Sequence, residues 1–187
     1  CDYVLFTDGD CIPRRDFVAV HKAHARPGKF LSGGYFKLPM PTSDLISQQH
    51  IASGQAFERD WLVKNGVRRN RKLGKLTTLQ WKRVILNSVT PAKPTWNGHN
   101  ASGWREDIFA VNGFDERMQY GGQDRELGER LMNRGVRGIQ IRYSAACLHL
   151  EHDHSYVRPE MIAKNKAIRA PTKSNKLTRT AYGIIKD

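Results

Sequence analysis

The sequence predicts an α/β fold, and three observations predict it. Tyr3-Val4-Leu5-Phe6-Thr7 is a short apolar run rich in β-formers, which reads as a buried, parallel strand. Strand-like runs then alternate with helical stripes along the chain. The first run ends directly in Asp8-Gly9-Asp10, so two carboxylates sit at a strand's C-terminal end, where open α/β sheets bind ligands. No βαβ unit precedes Tyr3, so the 187 residues read as the C-terminal part of a larger α/β domain.

The elements follow in order. Pro13 is placed to open a helix whose stripe, Phe17, Val18, Val20 and His21, ends near Ala25 before Pro27-Gly28. Residues 30–36 read as one strand with Gly33-Gly34 inside it, and Ser43 or Asp44 caps a helix carrying Leu45, Ile46 and Ile51. Residues 58–93 are basic with mixed periodicity and read as an insertion or a flexible segment. After Pro91 and Pro94 come a short strand over 100–104 and a helix over 105–111 that Gly113 stops. Gly121-Gly122 leads into a helix over 124–134, with Leu127 and Leu131 on one face and Gly135 as its stop. Strands over 138–142 and 145–150 close a first body, 1–157. A basic helix and tail, 158–187, follows, helical over 158–169 and frayed at its end.

Charge sets the partner class. Lys and Arg number 31 against 18 Asp and Glu, a net +13, so the protein favours polyanions: nucleic acid, nucleotide phosphates or an anionic membrane face. Between Arg59 and Lys93 the cations are opposed by Asp60 alone, whereas the other carboxylates gather in short motifs. The same charges also suit a solvated face. Cys1, Cys11 and Cys147 form no C-x-x-C pair, which argues against a disulfide framework or a cysteine zinc site. With no secretory signal in the first residues, a reducing, cytoplasmic setting is expected. No apolar run nears the roughly 18–20 residues of a membrane span.

Three motifs carry chemistry. Asp8-Gly9-Asp10 offers oxygen ligands for Mg²⁺ or Mn²⁺ and a partner for a sugar hydroxyl, although Asp and Gly are also ordinary turn formers. His149-Leu150-Glu151-His152 can bring two imidazoles to one ion, which suits Mn²⁺ better than Mg²⁺; a surface histidine cluster has the same pattern. Gly121-Gly122-Gln123-Asp124 lets backbone approach a substrate and sets Asp124 at a helix start, as a general base or as the N-cap. Trp96, Trp104 and Tyr120 flank these segments as sugar platforms or as core.

In this order the motifs resemble glycosyltransferase family 2, in its galactosyltransferase-like branch of bacterial polysaccharide and lipopolysaccharide enzymes. The matching segments are 4–11, Asn97-Gly98-His99-Asn100-Ala101-Ser102, Asn112-Gly113-Phe114-Asp115-Glu116, 121–127 and 149–152. The resemblance implies the C-terminal part of a GT-A, Rossmann-like nucleotide-diphospho-sugar transferase fold. It implies Mn²⁺ or Mg²⁺ on Asp10, His152 and His149, and Asp124 as catalytic base. Donor and acceptor contacts fall to Asp8, Asn100, Trp104, Tyr120, Gly121, Gly122 and Gln123, where Gln123 replaces the family's Glu. The implied reaction is inverting transfer from a nucleotide-sugar donor, UDP-linked, to a glycan or lipid-linked saccharide acceptor. Such an enzyme would work in the cytoplasm, peripheral on the inner face of the cytoplasmic membrane and in contact with anionic lipid. Two other readings compete: a basic nucleic-acid-binding module, for which no recognition motif is present, and a metal-dependent phosphodiesterase. No specific nucleic-acid partner is expected.

Overall fold

The structure, a computed structural model, describes residues 1–186. The strands are β1 (Tyr3–Phe6), β2 (Cys11–Pro13), β3 (Lys29–Ser32), β4 (Gly34–Lys37), β5 (Ala101–Trp104), β6 (Arg137–Gln140) and β7 (Ala146–His149). The helices are α1 (Phe17–His24), α2 (Met40–Leu45), α3 (Gln48–Ser53), α4 (Arg59–Lys64), α5 (Gln80–Val89), α6 (Arg105–Ala110), α7 (Gln123–Asn133) and α8 (Pro159–Ser174). Two 3₁₀ turns cover Gln55–Phe57 and Arg71–Leu76. The α/β class is as expected.

The strands form two small mixed sheets, ordered β1-β5-β3-β6 and β2-β7-β4. The chain passes between them five times, and two of these crossings bear on the site. The first is residues 7–10, which carry Asp8 and Asp10. The other is Gly33, where one strand was expected over 30–36. Gly33 N–H donates to the Asn100 carbonyl and Gly34 N–H to that of Ala145, so adjacent residues serve different sheets. A Cβ on Gly33 would lie 1.7 Å from Asn100 Oδ1, so only glycine fits this crossing.

Several other elements differ from the sequence reading. β1 pairs only antiparallel, with β5, and is half-buried, so an apolar run does not by itself give strand direction. Pro13 ends β2 instead of opening a helix; α1 starts at Phe17. The helix expected after Ser43 or Asp44 is two, and the cap is Ser47, whose hydroxyl accepts from His50 N–H. Residues 58–93, expected as an insertion or flexible segment, carry α4, a 3₁₀ turn and α5. Their Leu62, Val67, Leu73 and Leu76 share a core with Phe36, Leu38 and Leu148 of the second sheet.

A second core, Phe30, Trp96, Leu127, Leu131 and Val136, joins the first sheet to α7. Trp96 is therefore core. Among the described residues the tail is tied to the body; Asp187, part of the end expected to fray, lies outside them. Asn112 Nδ2 donates to the Thr180 and Ile185 carbonyls, and Thr180 Oγ1 donates to Asp115. Asp115 is thus a buried latch. Burial alone would raise its carboxyl, but hydrogen bonds from Arg117 and Thr180 hold it below the ordinary range. No helix among the described residues is long and apolar enough to cross a membrane.

Candidate metal centre and adjoining cleft

Strand pairing builds the candidate metal centre. In β2–β7 register Cys11 faces His149, and Leu150 N–H donates to the Asp10 carbonyl, so the first sheet crossing lies against the histidines after β7. Asp10 Oδ2 is 2.9 Å from His152 Nε2 and 3.4 Å from His149 Nε2. Each ring donates its Nδ1–H to a main-chain carbonyl, His149 to Leu150 and His152 to Asp153, which turns both Nε2 atoms toward Asp10. Such outer hydrogen bonds fix the tautomer of metal-binding histidines.

With both rings neutral, two Nε2 lone pairs and a carboxylate oxygen converge with no donor among them. A shared proton or a cation relieves that arrangement. Asp10 Oδ1 is buried without a hydrogen-bond partner, a second sign that the site suits a cation. The carbonyl of Asp153, and next Asp10, favour the protonated ring and hold His152 above the ordinary histidine range.

Sequence reasoning missed Cys11. Ligand atoms of Asp10, Cys11 and His149 all lie within 4.8 Å of one another, a possible metal-binding triad. Hydrogen bonding to Cys147, then burial, pushes the Cys11 thiol up, so it stays protonated and is a poor partner for a hard ion. Asp10 and the two imidazoles together offer one hard oxygen and two borderline nitrogen donors, a set that suits a divalent transition ion.

A hollow of about 520 Å³ lies over this centre, lined among others by Asp8, Tyr120, Gln123, His149, His152 and Tyr156. It shares Asp8, Tyr120, Gln123 and His149 with a cleft of about 540 Å³ lined by Gly121, Gly122 and Asp124. Burial, and next the Asp10 charge, raises the Asp8 carboxyl above its ordinary value. Asp124 is not the cap of α7: that is Gly122, at φ 91°, and Gly121 at φ 99° would drive a Cβ to 2.6 Å from Ile162. Freed from capping, Asp124 Oδ1 accepts from Arg125 N–H at 2.7 Å, and Oδ2 only a long 3.4 Å contact from Gly98 N–H. Gln123 Oε1 is buried without a partner.

Asn165 of α8 holds this loop. Its Nδ2 donates to the Gln119, Tyr120 and Gly121 carbonyls and its Oδ1 accepts from Gln119 N–H. His99 also lines the cleft, and burial, then His149, lowers it to about 4, so it is neutral there. No motif singled out Asn165, and His99 lies in a matching segment without a role assigned to it; the place of each at the cleft arises from contacts distant in sequence.

Two expected contacts lie elsewhere. Trp104 pairs with Tyr3 at the end of β5 away from Asp8, and its Nε1 donates to the Arg26 carbonyl; it lines a separate depression with Asp2 and Phe109. Asn100 is fully buried. Its Nδ2 donates to the Gly34 and Ala145 carbonyls and its Oδ1 accepts from His21 Nε2, so it ties the sheets together. The remaining expected residues, Asp8, Asp10, Tyr120, Gly121, Gly122, Gln123, Asp124, His149 and His152, line the joined hollow and cleft.

Comparison of the chain with protein-family models and with curated proteins returns no match. Its function is read from the residues of this site.

Proposed function

We propose that the chain belongs to a GT-A-type, metal-dependent glycosyltransferase of family 2. It would move a sugar from a nucleotide-diphosphate donor, UDP-linked, to a glycan or lipid-linked acceptor. The observation that carries the reading is the convergence of Asp10, His149 and His152 at one end of a cleft whose wall bears Asp124. Mn²⁺ can take the Asp10 carboxylate, with its orphaned oxygen, together with the two imidazoles; when bound, it would offset charge on a departing nucleotide diphosphate.

The chain's own residues supply the rest. Gly121 and Gly122 leave the loop wall bare so that a sugar ring can lie against backbone. Tyr120 offers an exposed ring, and Asp8 and Gln123 offer oxygens to sugar or ribose hydroxyls. Asp124 accepts the acceptor's hydroxyl proton as that oxygen bonds the anomeric carbon and the bond from that carbon to the phosphate oxygen breaks. Single displacement inverts the anomeric centre.

The test is calorimetric titration of UDP, with and without Mn²⁺, followed by an assay of UDP release from UDP-sugars with saccharide acceptors. Binding that needs Mn²⁺ and fails in Asp10→Ala and His152→Ala is expected. Release of nucleoside monophosphate without an acceptor would instead identify a phosphodiesterase.

A further inference from the structure

Helix α5 is inside out. A surface helix ordinarily turns its apolar stripe inward. Here the inward stripe carries one half-buried apolar residue, Leu86, among polar ones. Arg83, 7% exposed, donates to the Thr77 carbonyl and to Asp16 Oδ2, and Asn87 Nδ2 donates to Ser144 Oγ while its Oδ1 accepts from Tyr143 N–H. The outward stripe is Trp81, Val84, Ile85 and Val89, 60, 54, 51 and 66% exposed. These positions fall on one face at helical spacing. Polar anchors hold the helix to the body, so its apolar face is free for something else. A contiguous exposed apolar face of this kind marks an interaction surface.

Charge indicates what covers it. The helix lies within the stretch from Arg59 to Lys93, where Asp60 is the only carboxylate. Lys82 extends its ammonium over the Trp81 ring, 5.3 Å from its centre. Leu79 and Lys82 share a shallow groove with Arg59, where Glu58 and Asp60 supply two carboxylates. Trp flanked by aliphatic side chains, with a lysine beside it in a strongly net-positive stretch, is the composition of a helix lying in a membrane interface. With 10 residues α5 is about 15 Å long, enough to lie flat and too short to span. Another protein surface would also cover the apolar stripe, but it would have to match the positive excess of this stretch.

We propose that the outward face of α5, Trp81, Val84, Ile85 and Val89, docks the protein on an anionic lipid surface. The proposal does not depend on the transferase reading. It would hold for any soluble substrate.

The test is co-sedimentation of the whole chain with vesicles of phosphatidylcholine, alone or with about 30% phosphatidylglycerol, at about 0.1 M salt. Binding is expected to the anionic vesicles, weakened by added salt, and reduced at least about tenfold in Val84→Ser/Ile85→Ser. Both positions are exposed, and circular dichroism checks that the double variant stays folded. Brominated lipid should quench fluorescence in the wild type and much less in Trp81→Phe. Equal binding to neutral vesicles, no vesicle binding, or binding unchanged in the double variant would overturn the proposal. So would self-association in sedimentation velocity that the double variant abolishes, since the face would then belong to a second copy.

Discussion

His21 makes the first sheet acid-sensitive. It is 1% exposed and sits in a chain of hydrogen bonds: the Tyr3 hydroxyl contacts Ser102 Oγ, Ser102 Oγ contacts His21 Nδ1, and His21 Nε2 reaches Asn100 Oδ1. Burial lowers its pKa from 6.5 to about 4. The unfolded chain therefore binds a proton more readily than the folded one. The neutral ring's stability contribution is complete above about pH 6.5 and is lost as pH falls from there toward 4. With those two values, roughly 2 kcal/mol is gone at pH 5. Urea unfolding of the wild type and of His21→Gln at pH 7, 6 and 5 measures it. The Gln variant is less stable at pH 7 but should lack that roughly 2 kcal/mol of pH dependence. The same pH slope in both proteins, or an NMR titration of His21 near 6.5, would refute the reasoning.

Other predictions test the loop, the base and the core. Asn165→Ala removes four hydrogen bonds from residues 119–121 and should cost about 2–4 kcal/mol in urea unfolding. Asn165→Asp should cost more, because a carboxylate would face three carbonyl oxygens; a milder Asp variant counts against this bracket. Asp124→Asn should abolish transfer while Mn²⁺ and UDP binding stay within about threefold of wild type; unchanged turnover removes Asp124 from the base role. Glu126→Ala leaves Arg130, whose guanidinium is bonded to it and fully buried, without its counter-charge; about 3–5 kcal/mol should be lost in unfolding. A loss under about 1 kcal/mol would show that the main-chain carbonyls of Val111 and Gly113 suffice for Arg130.

What the sequence made legible was local. An apolar run into Asp-Gly-Asp, a Gly-Gly start and Gly135 stop around α7, and a run into His149 are signals within a few residues, and the structure has those elements. The illegible parts are set by distant partners. Gly33 divides the run 30–36 because Asn100 accepts from its amide while Ala145 accepts from that of Gly34, which draws the two residues into different sheets. Asn100 and Trp104, four residues apart, do not line the cleft, because hydrogen bonds to Gly34 and Ala145 bury Asn100 between the sheets and β5 carries Trp104 to its opposite end. The periodicity of α5 is clear, but its mostly polar stripe is the inward one, so reading apolar as inside gives the wrong face. Cys11 adjoins Asp10 in sequence but meets His149 only through β2–β7 pairing, which no spacing within the chain encodes.

The central claim is that Asp10, His149 and His152 hold one divalent cation beside the Asp124 cleft. Electron paramagnetic resonance of Mn²⁺ titrated into the chain at pH 8 reads it directly, since bound ion leaves the free-ion signal. The account predicts one Mn²⁺ per chain, binding lost in Asp10→Ala and weakened at least about tenfold in His152→Ala. It also predicts weaker binding at pH 6, because a protonated imidazole cannot ligate and His152 is held above the ordinary range. Absence of binding, or binding indifferent to both substitutions, would contradict it.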